Sequence, residues 1–211
     1  MSQFNKKTER LDISVDESAR SIKILQKWNY IWKNQPTVSR WTFVQKRNFH
    51  DKVDKLIWGN WSGKYQIKVI GLSPFAIKNK NILFDLNFDI QWVLTNPHWI
   101  VNVNKIPKNG FLRSNVRWNA KEINLDTEDS VFKYKGSYNG KKHYQYPVVH
   151  EFGHAIGNVF SSHADEYESS SSFYLDKSSI MNIGNELRTR HIDFILQELN
   201  SMIPNTRFYV L

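Results

Sequence analysis

Pro147-Val148-Val149-His150-Glu151-Phe152-Gly153-His154-Ala155-Ile156-Gly157 is written like an amphipathic helix. Proline suits a first helical position, where its missing N–H would have no partner anyway. At about 3.6 residues per turn, Val148, Phe152, Ala155, Ile156 and Val159 gather on one side. His150, His154 and Gly157 gather on the other. Such a segment packs an apolar face and shows two imidazoles to a cleft. Gly157 follows on the histidine face, where the lack of a side chain lets the chain turn sharply.

Two histidines at i and i+4 on a helix are close enough to share one ion. The chain has no cysteine, so thiolate ligands and disulfides are excluded, and a metal must be held by His, Asp or Glu. A reactive zinc site needs three protein ligands and one open position. Glu151 lies on the shoulder of the histidine face, where a carboxylate is not a ligand but takes a proton from water and passes it to a leaving amine. A surface helix can carry the same five residues by chance. Here the helical periodicity, Gly157 and the residues further downstream agree on a metal centre.

Upstream, Phe84, Leu86, Phe88, Ile90 and Trp92 alternate with polar residues, the cleanest strand pattern in the chain. Leu11 to Val15, Tyr65 to Val69, and Trp99 to Val103 alternate in the same way, and a fourth strand of this central group is expected near Val116 to Leu125. Ile22, Leu25, Trp28 and Trp32 fit helical spacing after a cap at Asp16 or Ser18, with Pro36 ending the helix. Thr42 caps a second helix carrying Phe49, Val53, Leu56 and Ile57 and closed by Gly59. Residues 1–10 read as loose, 126–146 and Ser161 to Ser172 as loops, and Glu186 to Met202 as a last helix. The expected fold class is α+β, a single domain over 1–211. Helices and a mixed or antiparallel sheet of four to five strands occupy 11–146, and the metal-site half occupies 147–211.

The formal net charge is +9. The basic residues are scattered, as in Lys6-Lys7, Lys133 and Lys135, and Lys141-Lys142, without the dense cluster that nucleic-acid recognition uses. No nucleic-acid partner is expected. No segment approaches the length of apolar sequence that spans a bilayer, and the first ten residues lack the apolar core of a signal peptide.

His150 to Gly157 resembles the HExxHxxG core of metzincin-type zinc peptidases, and Ser179-Ile180-Met181-Asn182-Ile183-Gly184 is similar to their Met-turn. More narrowly, the run from His150 through Asp165-Glu166-Tyr167 to His191 resembles bacterial metallopeptidase toxin domains at the ends of Rhs-type and related secretion effectors. The resemblance implies a zincin-like fold and a zinc endopeptidase acting on protein or peptide. It also implies delivery into a target cell by a dedicated apparatus, and a cognate inhibitor or immunity protein. A cytoplasmic peptidase fits the missing signal peptide equally well, and an inactive relative with a basic binding surface is the alternative function.

One departure stands out: the metzincin third-ligand position falls on Phe160, which cannot bind zinc. The third ligand must come later. Asp165 is favoured from the Asp-Glu-Tyr stretch of related peptidases, His163 is the alternative, and Glu166 comes third. Arg190 and His191 are expected near the site as oxyanion or carboxylate contacts, Tyr167 as a packing residue, and Met181 as a structural residue. His50, His98 and His143 read as isolated.

Overall fold

The computed structural model describes residues 3–159 and 164–211. It is a mixed α/β fold built on one large mixed sheet. The strands of that sheet are β1 (Gln3–Lys7), β2 (Asp12–Asp16), β3 (Ser21–Asn34), β4 (Gln66–Gly71), β5 (Phe84–Trp92), β6 (Trp99–Lys105), β7 (Asn115–Arg117), β8 (Glu122–Asp126) and β11 (Thr206–Val210). The order across the sheet is β11-β4-β5-β3-β6-β8-β7, with β2 pairing β3 beyond the end of β6 and β1 pairing β2. The run β5-β3-β6-β8 is parallel. β4 is antiparallel to β5, and β7 is antiparallel to β8 at the other edge. The helices are α1 (Phe43–Trp61), α2 (Pro74–Asn79), α3 (Pro147–Ala155) and α4 (Asp193–Asn200). Strands β9 (Lys133–Tyr138) and β10 (Lys141–Gln145) form a separate ribbon.

The centre of the sheet corrects the sequence reading most. Residues expected to form the first helix are the long strand β3, which pairs Ser21–Trp28 with β5 and Trp28–Asn34 with β6. Ile22 and Trp28 satisfy either period, so the helical set through Leu25 and Trp32 was available. The buried set is Ile22, Ile24, Gln26, Trp28 and Tyr30, a strict period of two with one polar member. Gln26 hides the alternation, although β-branched and aromatic residues around it favour a strand.

Other differences follow from weak local signals. Gln3–Lys7 is strand β1 rather than loose chain, held by pairing to β2. The single strand expected near Val116 to Leu125 is two strands, reversed by a 3-10 turn at Trp118–Ala120 with Lys121 left-handed at φ 53°. The expected loop 126–146 contains the β9–β10 ribbon, which reverses at Asn139-Gly140, both with positive φ. That dipeptide is a strong hairpin signal, but the ribbon is largely exposed and its strands carry no apolar alternation. The last helix is shorter than expected, with a 3-10 turn at Thr189–Ile192 leading into α4, and strand β11 after it was not anticipated. The main sheet has nine strands, not four or five. Helix α1 runs past Gly59 to Trp61, and its Thr42 cap forms a reciprocal box with Gln45.

Two buried polar contacts seat α3 on this frame. Gln26 Nε2 donates to the Ala155 carbonyl at 2.7 Å, at the end of α3, and Gln26 Oε1 accepts from the Trp28 indole at 3.0 Å. The Trp61 indole of α1 donates to the Val149 carbonyl at 3.1 Å. Phe152 fills the gap between them, its ring 5.8 Å from those of Trp61 and Phe88. No helix among the described residues is long and apolar enough to cross a membrane.

Replacing Gln26 with leucine removes both bonds and strands a buried carbonyl and a buried indole N–H. At about 1–3 kcal/mol for each of the two unsatisfied groups, Gln26→Leu should lower unfolding free energy by about 2–6 kcal/mol. Urea denaturation followed by tryptophan fluorescence measures it, and an unchanged midpoint would contradict the assigned seating.

Candidate metal centre

Helix α3 presents its polar face to a cleft under the edge strand β7. His150 Nε2 and His154 Nε2 lie 3.1 Å apart, and Asp165 Oδ1 is 3.1 Å from the first and 3.2 Å from the second. All three atoms lie within 4.8 Å of one another, the spread a single ion requires. Both imidazoles are oriented from behind. His150 Nδ1 is 2.8 Å from the Ile180 carbonyl, and His154 Nδ1 is 2.6 Å from the Asn158 carbonyl. A carbonyl only accepts, so each Nδ1 carries the proton, and each neutral Nε2 points a lone pair at the other and at a carboxylate oxygen. Three acceptors facing one another need a cation or protons between them. The donor set, two imidazole nitrogens and one carboxylate oxygen, suits zinc.

Glu151 is beside the cluster and 7% exposed, and its Oε2 is buried with no hydrogen-bond partner among the described residues. Burial pushes its carboxyl up, against the pull of His150 and His154. An unpartnered buried carboxylate oxygen next to three converging acceptors fits a metal centre with a proton acceptor at its side.

The segment after α3 turns where the sequence places glycine. Gly157 has φ +116°, and a Cβ there would run into the Phe194 side chain. A Cβ at Gly153 would strike the Met181 sulfur, so Met181 lies directly against α3 below the histidines. Met181 is buried and no ligand. Its neighbour Ile180 lends the carbonyl that orients His150, and its own carbonyl accepts from Glu166 N at 2.8 Å.

Asp165 and Glu166 have divided roles. Asp165 faces the histidines; burial opposes ionisation of its carboxyl, but the two neighbouring imidazoles hold it below the usual carboxylate range. Glu166 is fully buried and faces the other way. Arg190 grips both its oxygens, at 2.7 and 2.9 Å, and His191 Nε2 lies 3.5 Å from Oε1. Burial alone would raise Glu166, but bonds from His191, Arg190 and Ser179 prevail and hold it at about 2. Glu166 therefore anchors the ligand segment and does not join the cluster.

Arg190 and His191 stand away from the cleft. Arg190 also bonds Asp176 at 2.8 Å, and His191 Nδ1 accepts from Arg188 N at 3.0 Å. Both are framework for Glu166, which corrects their expected contact with the reacting atoms. His163 and Phe160 lie outside the described residues. His98 is structural, accepting from Lys27 N at 2.9 Å and lying 3.3 Å from Asp12.

Two cavities flank Glu151. One, of about 270 Å³, is lined by Val116 and Trp118 of the edge-strand region, His154, Asp165 and Tyr167. The other, of about 420 Å³, is lined by Phe111, Asp129, Lys133, Lys135, His150 and Tyr167 among others. Arg113, Ser114, Glu151 and Tyr167 belong to both. Tyr167 stacks near His150 at 6.3 Å and is more than packing. Burial, then its bond to the Asp165 carboxylate, pushes the phenol well up, and Arg113 opposes this. Arg113 was not legible in the sequence, since it sits in an irregular segment with no motif around it.

No family model, curated protein or solved structure matches this chain.

Asp129, in the wall of the larger cavity, gives a pH test of this geometry. Burial, then the nearby Asp126 carboxylate, pushes its carboxyl up to about 7. A carboxyl raised in the fold binds its proton more tightly there than in the unfolded chain, so stability falls as pH rises from about 4 to about 7. Asp129→Asn keeps an acceptor for Ser114 Oγ and Asp126 N but removes the charge. Its stability relative to the parent should therefore climb over that window, read by urea midpoints at pH 4, 5.5 and 8. A pH-independent difference would contradict the assignment.

Proposed function

We propose that this protein is a zinc-dependent endopeptidase that cleaves a peptide bond with an activated water. The observation that carries the reading is the convergence of His150 Nε2, His154 Nε2 and Asp165 Oδ1 beside the unpartnered Glu151 Oε2. His150, His154 and Asp165 would hold the ion, which when bound lowers the pKa of water and polarises a carbonyl.

The chain supplies the remaining steps. Glu151 takes a proton from the attacking water and gives it to the leaving amine, and its raised carboxyl suits both halves of that transfer. Arg113 and Tyr167 share the cavity walls with Glu151 and are the donors we assign to the developing oxyanion, in place of Arg190 and His191. Strand β7 pairs only with β8 among the described residues, so its outer edge is open to an extended substrate. A zincin-like architecture belongs to this proposal, supported by the antiparallel edge strand over the cleft and by Met181 beneath α3. The effector role and the cognate inhibitor rest on the resemblance of the His150–His191 run and belong to it as well.

Elemental analysis after incubation with zinc should find one zinc per chain, lost in His154→Ala. Glu151→Gln should keep the zinc and lose at least about 100-fold in peptide hydrolysis. A parent chain that takes up no zinc overturns the reading and leaves a basic binding module. Full turnover in Glu151→Gln removes the role given to Glu151.

A further inference from the structure

The larger cavity carries two lysines that the proposed chemistry does not use, beside the Arg113 already assigned there. Arg113, Lys133 and Lys135 all line it, beside the apolar surfaces of Phe111 and Pro147. Among the described residues, none of these three cations has a carboxylate within ion-pair distance. Neighbouring cations behave differently: Arg117 pairs with Glu122 at 2.8 Å, Arg188 with Asp176 at 2.8 Å, and Arg190 with Glu166 at 2.7 Å. Three cations outside ion pairs are therefore grouped on one side of the cluster, Arg113 among them bonded to the Tyr167 phenol, while their neighbours are neutralised.

The carboxylates of the same wall feel the two lysines at a distance, Asp129 feeling Lys133 and Glu151 feeling Lys135, without pairing to them. Asp129 is tied up by Ser114 Oγ at 2.6 Å and Asp126 N at 2.7 Å. Glu151 is the buried group beside the metal ligands, and Glu168 is exposed at the rim. The ribbon also shows how a lysine is aimed inward. Along β9, Gly136 pairs with His143 and Tyr134 with Tyr144, so Lys135 is an extra residue between them. A bulge of this kind re-aims one side chain and recurs beside active sites.

We infer that this cavity binds a carboxylate of the substrate, presented by an Asp or Glu side chain next to the scissile bond. The inference rests on the peptidase reading and adds the substrate class. Lys133 and Lys135 set this preference by charge, while the stems of Phe111 and Pro147 cover the methylenes that carry the acid group. Exposed cations act through a screened field, so the preference weakens as salt rises.

Matched peptides decide it, identical except for Glu or Gln at positions flanking the cleaved bond and amidated at the C terminus. The zinc-loaded protein should cleave the Glu peptide with kcat/KM about tenfold above the Gln peptide at one flanking position. In Lys133→Ala/Lys135→Ala that ratio should fall to about one, whereas Lys142→Ala, on the same ribbon outside the cavity, keeps it. Arg113 is left intact because it also bears on Tyr167. Anisotropy of labelled peptides on the Glu151→Gln protein reads the same preference in binding, without turnover. A preference that appears only with a free C terminus upholds the carboxylate pocket and assigns the chain end as its source. Equal kcat/KM for Glu and Gln peptides, or a ratio untouched by the double substitution, overturns the inference and leaves the peptidase reading standing. No hydrolysis of any peptide overturns both.

Discussion

Two imidazole nitrogens and a carboxylate oxygen point at one another across 3.1–3.2 Å, and nothing in their own chemistry makes that arrangement favourable. It exists because each group is held from behind. Backbone carbonyls at Ile180 and Asn158 fix the histidine tautomers, so the rings cannot turn their protonated nitrogens inward without giving up a buried bond. Asp165 is held because its neighbour Glu166 is locked on the opposite side, its carboxylate to Arg190 and its backbone N–H to the Met181 carbonyl. Removing Arg190 would leave the buried Glu166 carboxylate with His191 as its remaining ionic contact, at a cost approaching the ~3–5 kcal/mol of a broken buried pair. The surrounding structure therefore meets the cost of three acceptors converging, and a cation at their centre would relieve it.

The rest of the fold can be understood as the support for those three holders. Helix α3 is short and buried, and a helix of that length has little stability of its own. Gln26 fixes its last carbonyl from the sheet, Trp61 fixes its first turn from α1, and Met181 closes against Gly153 where no side chain intervenes. The long strand β3 matters here because it reaches from the β5 side to the β6 side of the sheet and places Gln26 under the end of the helix. Gly157 then sends the chain back past Phe194, which brings the later ligand segment within reach of the histidines.

The sequence made the site more legible than the scaffold, for physical reasons. His150, Glu151 and His154 announce themselves because i and i+4 on a helix share a face whatever surrounds them. Asp165 was ranked first among the later ligands, and it is the described residue that closes the cluster. The strand β3 was hidden because one polar residue in five interrupted its alternation, and that residue is polar for a tertiary reason, the Ala155 carbonyl. The β9–β10 ribbon was hidden because an exposed ribbon needs no apolar pattern; only Asn139-Gly140 betrayed it. Arg190 and His191 looked functional from proximity in sequence to Met181, but proximity along the chain says nothing of which side of Glu166 they approach.

Charge shows the same limit from another direction. A sum of +9 says that the surface is basic, not where the field is concentrated. Folding sorts the cations by whether a carboxylate reaches them. Arg188 and Arg190 are consumed in holding Asp176 and Glu166, so their positive charge is spent inside the framework. Lys133 and Lys135 come from the stretch 126–146 that the sequence reads as a loop and Arg113 from the segment just before β7, and one cavity wall brings them together. The sorting matters for function because a paired arginine and an unpaired lysine are equal in composition but opposite in effect. One stiffens the ligand segment, and the other leaves a positive potential in the wall beside Glu151. The acidic residues are sorted in parallel: Asp165 faces the histidines, Glu166 the arginine, and Asp129 is withdrawn behind Ser114. Asp129 and Glu151 feel this wall only at a distance, so among the described residues its lysines have no ion-pair partner, and a substrate carboxylate would supply one.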